Sequence, residues 1–127
     1  MTHKKLFIAT AVILIIFGLI WFFIPNIGLN VYGHELQVND LACIITRYWG
    51  SAFIALAVIL WLAREGQSDS IAVRAIIIGG FVLAVTGLIA SIIDMLFGDA
   101  NAMLWMNIAL YGLFGVLYGI LAFKKPV

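Results

Sequence analysis

Charged residues are scarce in this sequence. They make up 10% of the 127 residues, whereas hydrophobic residues make up 65%. A soluble domain is about half apolar and about a quarter charged, so this composition predicts an integral membrane domain. The net charge is +1 and no basic run is present, so we expect no nucleic-acid partner.

Residues that usually carry chemistry are also few. The single cysteine, Cys43, makes no internal disulfide and leaves no thiol pair for redox work. The two histidines, His3 in an N-terminal tail and His34 in a loop, lie outside the apolar runs, which argues against haem ligation. The sequence has no glycine-rich phosphate loop, no Ser–His–Asp arrangement at a common depth and no carboxylate pair inside the membrane. An enzyme is therefore the least favoured function, and we predict no cofactor.

What the chain has in abundance is long apolar runs. Four of them are long enough to cross a hydrocarbon core of roughly 30 Å. They predict membrane spans at about 6–24, 41–63, 71–97 and 102–123. Pro25 and Gly28 are expected to end the first span. The loop 25–40 mixes polar and apolar residues, so a short amphipathic element is expected there, and its length makes it a place for specific recognition.

The charges are divided unequally between the two ends of these spans. One end carries six basic and two acidic residues, and the other carries one basic and four acidic residues. Positive charge stays on the cytoplasmic side of a membrane, so both termini are expected in the cytoplasm. With short turns at 64–70 and 98–101, the chain is expected to fold as one domain, 1–127, an all-α antiparallel four-transmembrane-helix bundle.

Three spans place a polar side chain at about the same depth. Arg47, Asp94 and Asn107 lie 17, 20 and 17 residues from a basic residue at the cytoplasmic end of their own spans. At 1.5 Å per residue, these side chains lie roughly 25–30 Å from the inner boundary, in the outer leaflet. A charge at that depth is costly unless it is paired or faces water. We therefore expect Arg47 to pair with Asp94.

Two further residues complete a predicted ligand-binding cluster. Ser91 and Asp94 continue a small-residue stripe on the third span, and Tyr111 lies one turn deeper than Asn107 on the fourth. The predicted cluster is Arg47, Asp94, Asn107, Tyr111 and Ser91. It has two interpretations. It binds a ligand, as intramembrane charges often do, or the Arg47–Asp94 pair only sets helix registry.

Other features give weaker signals. The outer mouth, which is the end of the bundle away from the cytoplasm, would also hold His34, Glu35, Trp49 and Trp105. The tryptophans are typical of interface anchors. His34 and Glu35, with Asp40 and Asp99, could bind a divalent cation only if something held them together, so no metal site is predicted. The small-residue faces, Gly80 to Asp94 and Gly115 to Gly119, predict packing within the bundle, with a homo-oligomer as the alternative.

Three motifs resemble those of a group of small bacterial four-span membrane proteins that is loosely similar to DoxX. They are Arg47-x-x-Gly50, Trp61-Leu62-Ala63-Arg64, and Asn101-Ala102-x-x-Trp105 with Tyr111. The resemblance covers the second to fourth spans. It implies a multi-pass four-helix fold in the bacterial inner membrane and emphasises Arg47, Gly50 and Trp105. It brings no activity with it.

The sequence thus predicts a non-enzymatic membrane bundle with membrane lipids as partners. The predicted function is binding of a small anionic or lipid-like ligand, or of a partner subunit, at the outer polar cluster. Two alternatives stay open. One is a structural or assembly protein in which Arg47 and Asp94 only set registry, and the other is an oligomeric channel or transporter.

Overall fold

Five helices and no strand make up the part of the chain that the computed structural model describes, which is residues 2–33, 35–98 and 102–124. Four of the helices are long and apolar enough to cross a membrane, as the four apolar runs predict. The shortest of the four has 21 residues, a length of about 32 Å at 1.5 Å per residue. The helices are α1 (His3–Phe23), α2 (Pro25–Asn30), α3 (Leu41–Ala63), α4 (Ile71–Phe97) and α5 (Ala102–Phe123).

The short helix α2 occupies the first part of the predicted loop. Helix α1 ends at Phe23, as expected from the proline that follows, but Pro25 starts a new helix instead of only ending the old one. Proline suits the first helical position because its missing N–H has no intrahelical partner there. A Cβ on Gly28 would lie 2.9 Å from the Ile20 side chain, so α2 folds back against the end of α1.

The described chain divides into two compact units. The N-terminal unit is Phe7–Arg64, and the C-terminal unit is Met1–Leu6 with Glu65–Val127. Each has its own pair of long helices. The arrangement of the four helices as one antiparallel bundle in a single domain stays a prediction.

In the N-terminal unit, α1 and α3 run antiparallel and cross at two glycines. A Cβ on Gly50 would lie 2.8 Å from the Gly18 carbonyl oxygen and 2.7 Å from the Phe22 backbone nitrogen. Backbones approach this closely in membrane helices only where small residues face each other. Beside the crossing, the Trp21 and Phe53 rings pack with their centroids 5.1 Å apart.

In the C-terminal unit, α4 and α5 also run antiparallel, with two tyrosine rings of α5 lying on two glycines of α4. A Cβ on Gly80 would lie 2.6 Å from the Tyr118 ring, and a Cβ on Gly87 would lie 2.4 Å from the Tyr111 ring. Tyr118 is only 2% exposed. The small-residue stripe of α4 is therefore used, at Gly80 and Gly87, to seat tyrosines of its own hairpin.

Polar side chains complete the helix ends of the C-terminal unit. The Ser70 hydroxyl accepts a hydrogen bond from the Val73 N–H at 3.2 Å, so Ser70 is the N-cap of α4. His3 belongs to α1 instead of a tail, and its Nε2 lies 2.8 Å from the Gly66 carbonyl oxygen. Lys4 forms an ion pair with Glu65, with 2.8 Å between Nζ and Oε1.

Arg74 joins the start of α4 to the end of α5. Its guanidinium donates to the carbonyl oxygens of Leu121 at 2.9 Å and Ala122 at 2.7 Å. Carbonyls in the last turn of a helix have no intrahelical partner and carry the negative end of the helix dipole. Arg74 thus satisfies two of them with a positive charge.

Replacing Arg74 with methionine is expected to lower the free energy of unfolding by about 1–2 kcal/mol, because two charge-assisted hydrogen bonds are lost while most of the side-chain stem is kept. A titration with sodium dodecyl sulfate would measure the change. Lys124→Met is the matched control, since Lys124 is an exposed cation just beyond α5, and we expect it to cost less than about 0.5 kcal/mol. Equal losses in the two variants would contradict the capping role.

Candidate functional site

Arg47 lies two turns inside α3 and is half-buried. Its Nη2 donates a hydrogen bond of 2.7 Å to the carbonyl oxygen of Val38, nine residues earlier in the chain. The acceptor lies in the segment between α2 and α3, so the arginine ties that segment to the helix that follows it. The sequence does not predict this bond, because any backbone carbonyl within reach of the side chain would serve equally well.

The segment bound by Arg47 is also fixed at two other points. The Leu36 N–H donates to Asn30 Oδ1 at 3.0 Å, and the Gln37 N–H donates to Asp40 Oδ2 at 2.8 Å. Asn30 is the last residue of α2, and Asp40 immediately precedes α3. Side-chain bonds from the last residue of α2 and from the residue before α3 therefore hold the segment beside Arg47.

The charge of Arg47 is not matched by a carboxylate of its own unit. That unit contains Glu35 and Asp40, both described, and neither forms an ion pair with the guanidinium. The Val38 carbonyl is a neutral acceptor. It satisfies one N–H of the guanidinium but leaves the positive charge in place.

The C-terminal unit brings together three of the predicted cluster residues. Ser91 is 4% exposed, and its hydroxyl donates to the Gly87 carbonyl oxygen of its own helix at 2.9 Å. The Tyr111 ring rests on Gly87. The contacts Gly80–Tyr118 and Gly87–Tyr111 set the register, and one further turn places Asn107, which is half-buried, opposite Ser91. A hydroxyl, an amide and a phenol thus lie at neighbouring levels of one hairpin.

Asp94 lies one turn beyond Ser91, in the last turn of α4, and is exposed. Its backbone carbonyl accepts from the Gly98 N–H at 2.8 Å, where the helix ends. Asp94 and Arg47 belong to different units, so the ion pair between them stays a prediction.

The predicted outer-mouth residues are exposed where the structure describes them. Glu35 is exposed, Trp49 is 54% exposed and Trp105 is 63% exposed. Trp49 packs edge-on against Phe53, with ring centroids 6.2 Å apart. Large exposed indoles are what an interfacial anchor requires. His34 lies outside the described residues.

No three His, Cys, Asp or Glu side chains come together in the ranges 2–33, 35–98 and 102–124. His34 and Asp99, which the sequence puts near the outer mouth, lie outside those ranges. The absence of a metal site therefore stays a prediction. Cys43 is fully buried near the start of α3, as expected for a small apolar side chain.

One feature of the N-terminal unit, the close helix crossing at Gly18, was not predicted from the sequence. Gly18 is an isolated glycine in an Ile- and Leu-rich helix, and its backbone packs directly against the backbone of Gly50 in α3. An unexplained glycine in a membrane span is the available signal, since such a residue often marks a close helix approach.

Comparisons with known proteins identify no relative of this chain. No family model matches it, and neither a curated protein nor a solved structure matches it. The resemblance to small four-span bacterial proteins therefore stays a prediction, and the function has to be argued from the residues themselves.

The site residues carry groups that suit the binding of a polar or anionic ligand. A guanidinium presents five N–H donors in a planar fork that suits a carboxylate or phosphate. Serine, asparagine and tyrosine side chains supply hydrogen bonds that orient a polar group.

Proposed function

We propose that this chain is a multi-pass protein of the bacterial inner membrane, a four-helix bundle with both termini in the cytoplasm. It binds a small anionic or lipid-like ligand at a polar cluster in the outer leaflet and performs no chemistry on it. The observation that carries the proposal is the hydrogen bond of Arg47 to a neutral carbonyl, inside a helix built to cross a membrane.

The positive charge of Arg47 is the reason to expect an anionic ligand. A cation within a membrane span costs about 2.5–3.5 kcal/mol at the centre of the bilayer and less towards the interface. A bond to the Val38 carbonyl satisfies one N–H without neutralising that cost. An anionic ligand would neutralise it, and its carboxylate or phosphate oxygens suit the fork of the guanidinium.

The uncharged polar residues of the C-terminal unit would orient the rest of the ligand. Ser91, Asn107 and Tyr111 lie at adjacent levels of one hairpin. In the proposed bundle, the equal depths of Arg47 and Asn107 from the basic ends of their spans bring these groups into one layer. Asp94 would border the layer, where it sets how much of the Arg47 charge remains for the ligand.

The orientation rests on the distribution of charge. Six of the seven Lys and Arg residues lie at the end of the spans that contains the two termini. That bias and the short turns support the bundle topology and the cytoplasmic termini. The resemblance to small four-span bacterial proteins supports the inner membrane.

Arg47→Met is expected to reduce retention of an anionic lipid at least ten-fold, because a hydrogen bond to a charged partner contributes about 1.5–3 kcal/mol. The probe is phosphatidylglycerol, presented in nanodiscs with phosphatidylcholine and counted on the released protein by native mass spectrometry. Arg47→Lys keeps the charge and is expected to retain part of the binding. Lys5→Met, which removes an exposed cation elsewhere, is the control. Unchanged retention in a folded Arg47→Met protein would refute the site.

A structural role is the second candidate, and one observation favours it. Ser91 is already bonded to Gly87, and Tyr111 already packs on Gly87, so two of the five cluster residues serve their own hairpin. If Arg47 and Asp94 only set registry, exchanging them by Arg47→Asp with Asp94→Arg should restore the thermal stability lost in each single variant. It should also leave lipid retention unchanged. The ligand-binding proposal instead expects retention to be lost in the exchanged protein.

A further inference from the structure

The segment 35–40, which we call the strap, lies between α2 and α3, and none of its side chains is buried. Val38, near its middle, is 55% exposed. Burial of apolar surface therefore contributes little to holding the strap in place. Its position depends on the hydrogen bonds that Asn30, Asp40 and Arg47 make to its backbone. A segment held in this way opens at a low free-energy cost.

The bond from Arg47 is the one that ties the strap to a membrane span. The Gln37–Asp40 bond closes a turn inside the strap, and Asn30 belongs to the short helix α2. Arg47 lies in a helix of membrane-spanning length, and its charge makes the bond stronger than one between neutral groups. Gly33, two residues before the strap, has a φ of 93°, and a Cβ there would meet nothing within 4 Å. Glycine adopts such a φ freely, so Gly33 gives the strap a hinge.

The nitrogen of Arg47 that holds the strap is also the one that a bidentate anion needs. A guanidinium binds a carboxylate or phosphate through Nη1 with Nη2, or through Nε with Nη2. Nη2 belongs to both pairs, and it already donates to the Val38 carbonyl oxygen. That oxygen occupies one pair, and an anion on the other pair would lie beside it on the same nitrogen. The negative end of the carbonyl dipole repels an anion there.

We propose that the strap and an anionic ligand compete for Arg47, so that binding of the anion releases the strap from α3. This inference rests on the proposed function, since it assigns a regulatory contact to the same arginine. The coupling is reciprocal, because an anion that weakens the Arg47–Val38 bond must itself be weakened by that bond. The strap thus sets the affinity of the site, and the ligand sets the position of the strap.

The first test is hydrogen–deuterium exchange of the strap in dodecyl maltoside, a detergent without phosphate. The Leu36 and Gln37 N–H groups are the reporters, since both are hydrogen-bonded in the strapped state. Added phosphatidylglycerol is expected to speed their exchange about ten-fold, the effect of losing one hydrogen bond to a charged group. Phosphatidylcholine with the same acyl chains should have a much smaller effect, because its headgroup carries no net charge.

Two variants show whether Arg47 is responsible. Arg47→Met is expected to exchange fast without any lipid and to show no further response to phosphatidylglycerol. Lys5→Met removes an exposed cation elsewhere and is expected to behave as the wild type does.

The second test loosens the strap and leaves Arg47 unchanged. Asn30→Ala removes the acceptor of the Leu36 N–H, and it should raise retention of phosphatidylglycerol up to about five-fold, because one neutral hydrogen bond no longer favours the strapped state. Native mass spectrometry counts the retained lipid. Asn26→Ala is the matched control, since it makes the same change one turn earlier in α2 and leaves the Asn30–Leu36 bond in place.

Each contrary result has a distinct meaning. Phosphatidylglycerol that is retained through Arg47 but leaves exchange unchanged, or slows it as a closing lid would, overturns the competition and leaves the binding site intact. Lower retention in Asn30→Ala also overturns it, because the strap would then be part of the site. Slow exchange in lipid-free Arg47→Met would show that the arginine does not hold the strap. Retention that does not depend on Arg47 would refute the proposed function and the competition together.

Discussion

Gly50→Ala is expected to lower the free energy of unfolding by about 3 kcal/mol, at the upper end of the cost of overpacking a core. The added methyl carbon would lie 2.7 Å from the Phe22 backbone nitrogen and 2.8 Å from the Gly18 carbonyl oxygen. Backbone atoms cannot rotate away as a side chain can, so α1 and α3 must separate along the crossing. Titration of the detergent-solubilised protein with sodium dodecyl sulfate would measure the loss.

Gly79→Ala makes the same chemical change at a site where a Cβ meets nothing within 4 Å. Alanine favours a helix over glycine by about 1 kcal/mol, so this control should be neutral or slightly stabilising. A Gly50→Ala protein as stable as Gly79→Ala would show that the two helices do not meet at Gly18 and Gly50. The packing described for the N-terminal unit would then be wrong.

Gly87→Leu is expected to cost about 3 kcal/mol in the C-terminal unit, because the new side chain needs the space that the Tyr111 ring fills. A Cβ alone at this position would lie 2.4 Å from the ring. The tyrosine is half-buried and has to swing out or push α5 away from α4. Either movement also shifts Asn107, one turn away, so we expect lipid retention at the cluster to fall with stability.

Gly112→Leu is the matched control in the same hairpin, since a Cβ on Gly112 meets nothing within 4 Å. It should be neutral or stabilise the protein by up to about 1 kcal/mol, since leucine, like alanine, favours a helix over glycine. If Gly112→Leu were as harmful as Gly87→Leu, the effect would come from bulk on the hairpin in general. The register that pairs Gly87 with Tyr111 would lose its support.

The four long helices were predictable because membrane spans depend on a property that the sequence shows directly. An apolar run long enough to cross a bilayer must form its hydrogen bonds internally, so it forms a helix. The four long helices begin and end within three residues of the approximate bounds expected for the spans. The short helix α2 was harder to predict, because Pro25 is compatible both with the end of one helix and with the start of the next.

The partners of the polar side chains were less predictable than the helices. The sequence shows that Arg47 lies inside a span, and charge balance then favours a carboxylate such as Asp94 as partner. In the structure, Arg47 donates to the backbone carbonyl of Val38. Every residue has a backbone carbonyl, so no sequence pattern identifies this one as the acceptor. Similarly, helical spacing predicts that Gly80 and Gly87 share a face, but only the packed hairpin shows that tyrosines of α5 occupy it.

The surroundings of the Arg47 guanidinium in a lipid bilayer provide the most direct test of the central claim. A density map of the protein in nanodiscs that contain phosphatidylglycerol would show them. We predict a non-protein anionic group about 2.7–2.9 Å from the guanidinium nitrogens, the distance of a charge-assisted hydrogen bond. A bidentate contact with the Asp94 carboxylate, with no other density at the guanidinium, would contradict the binding site and identify the pair as a structural lock.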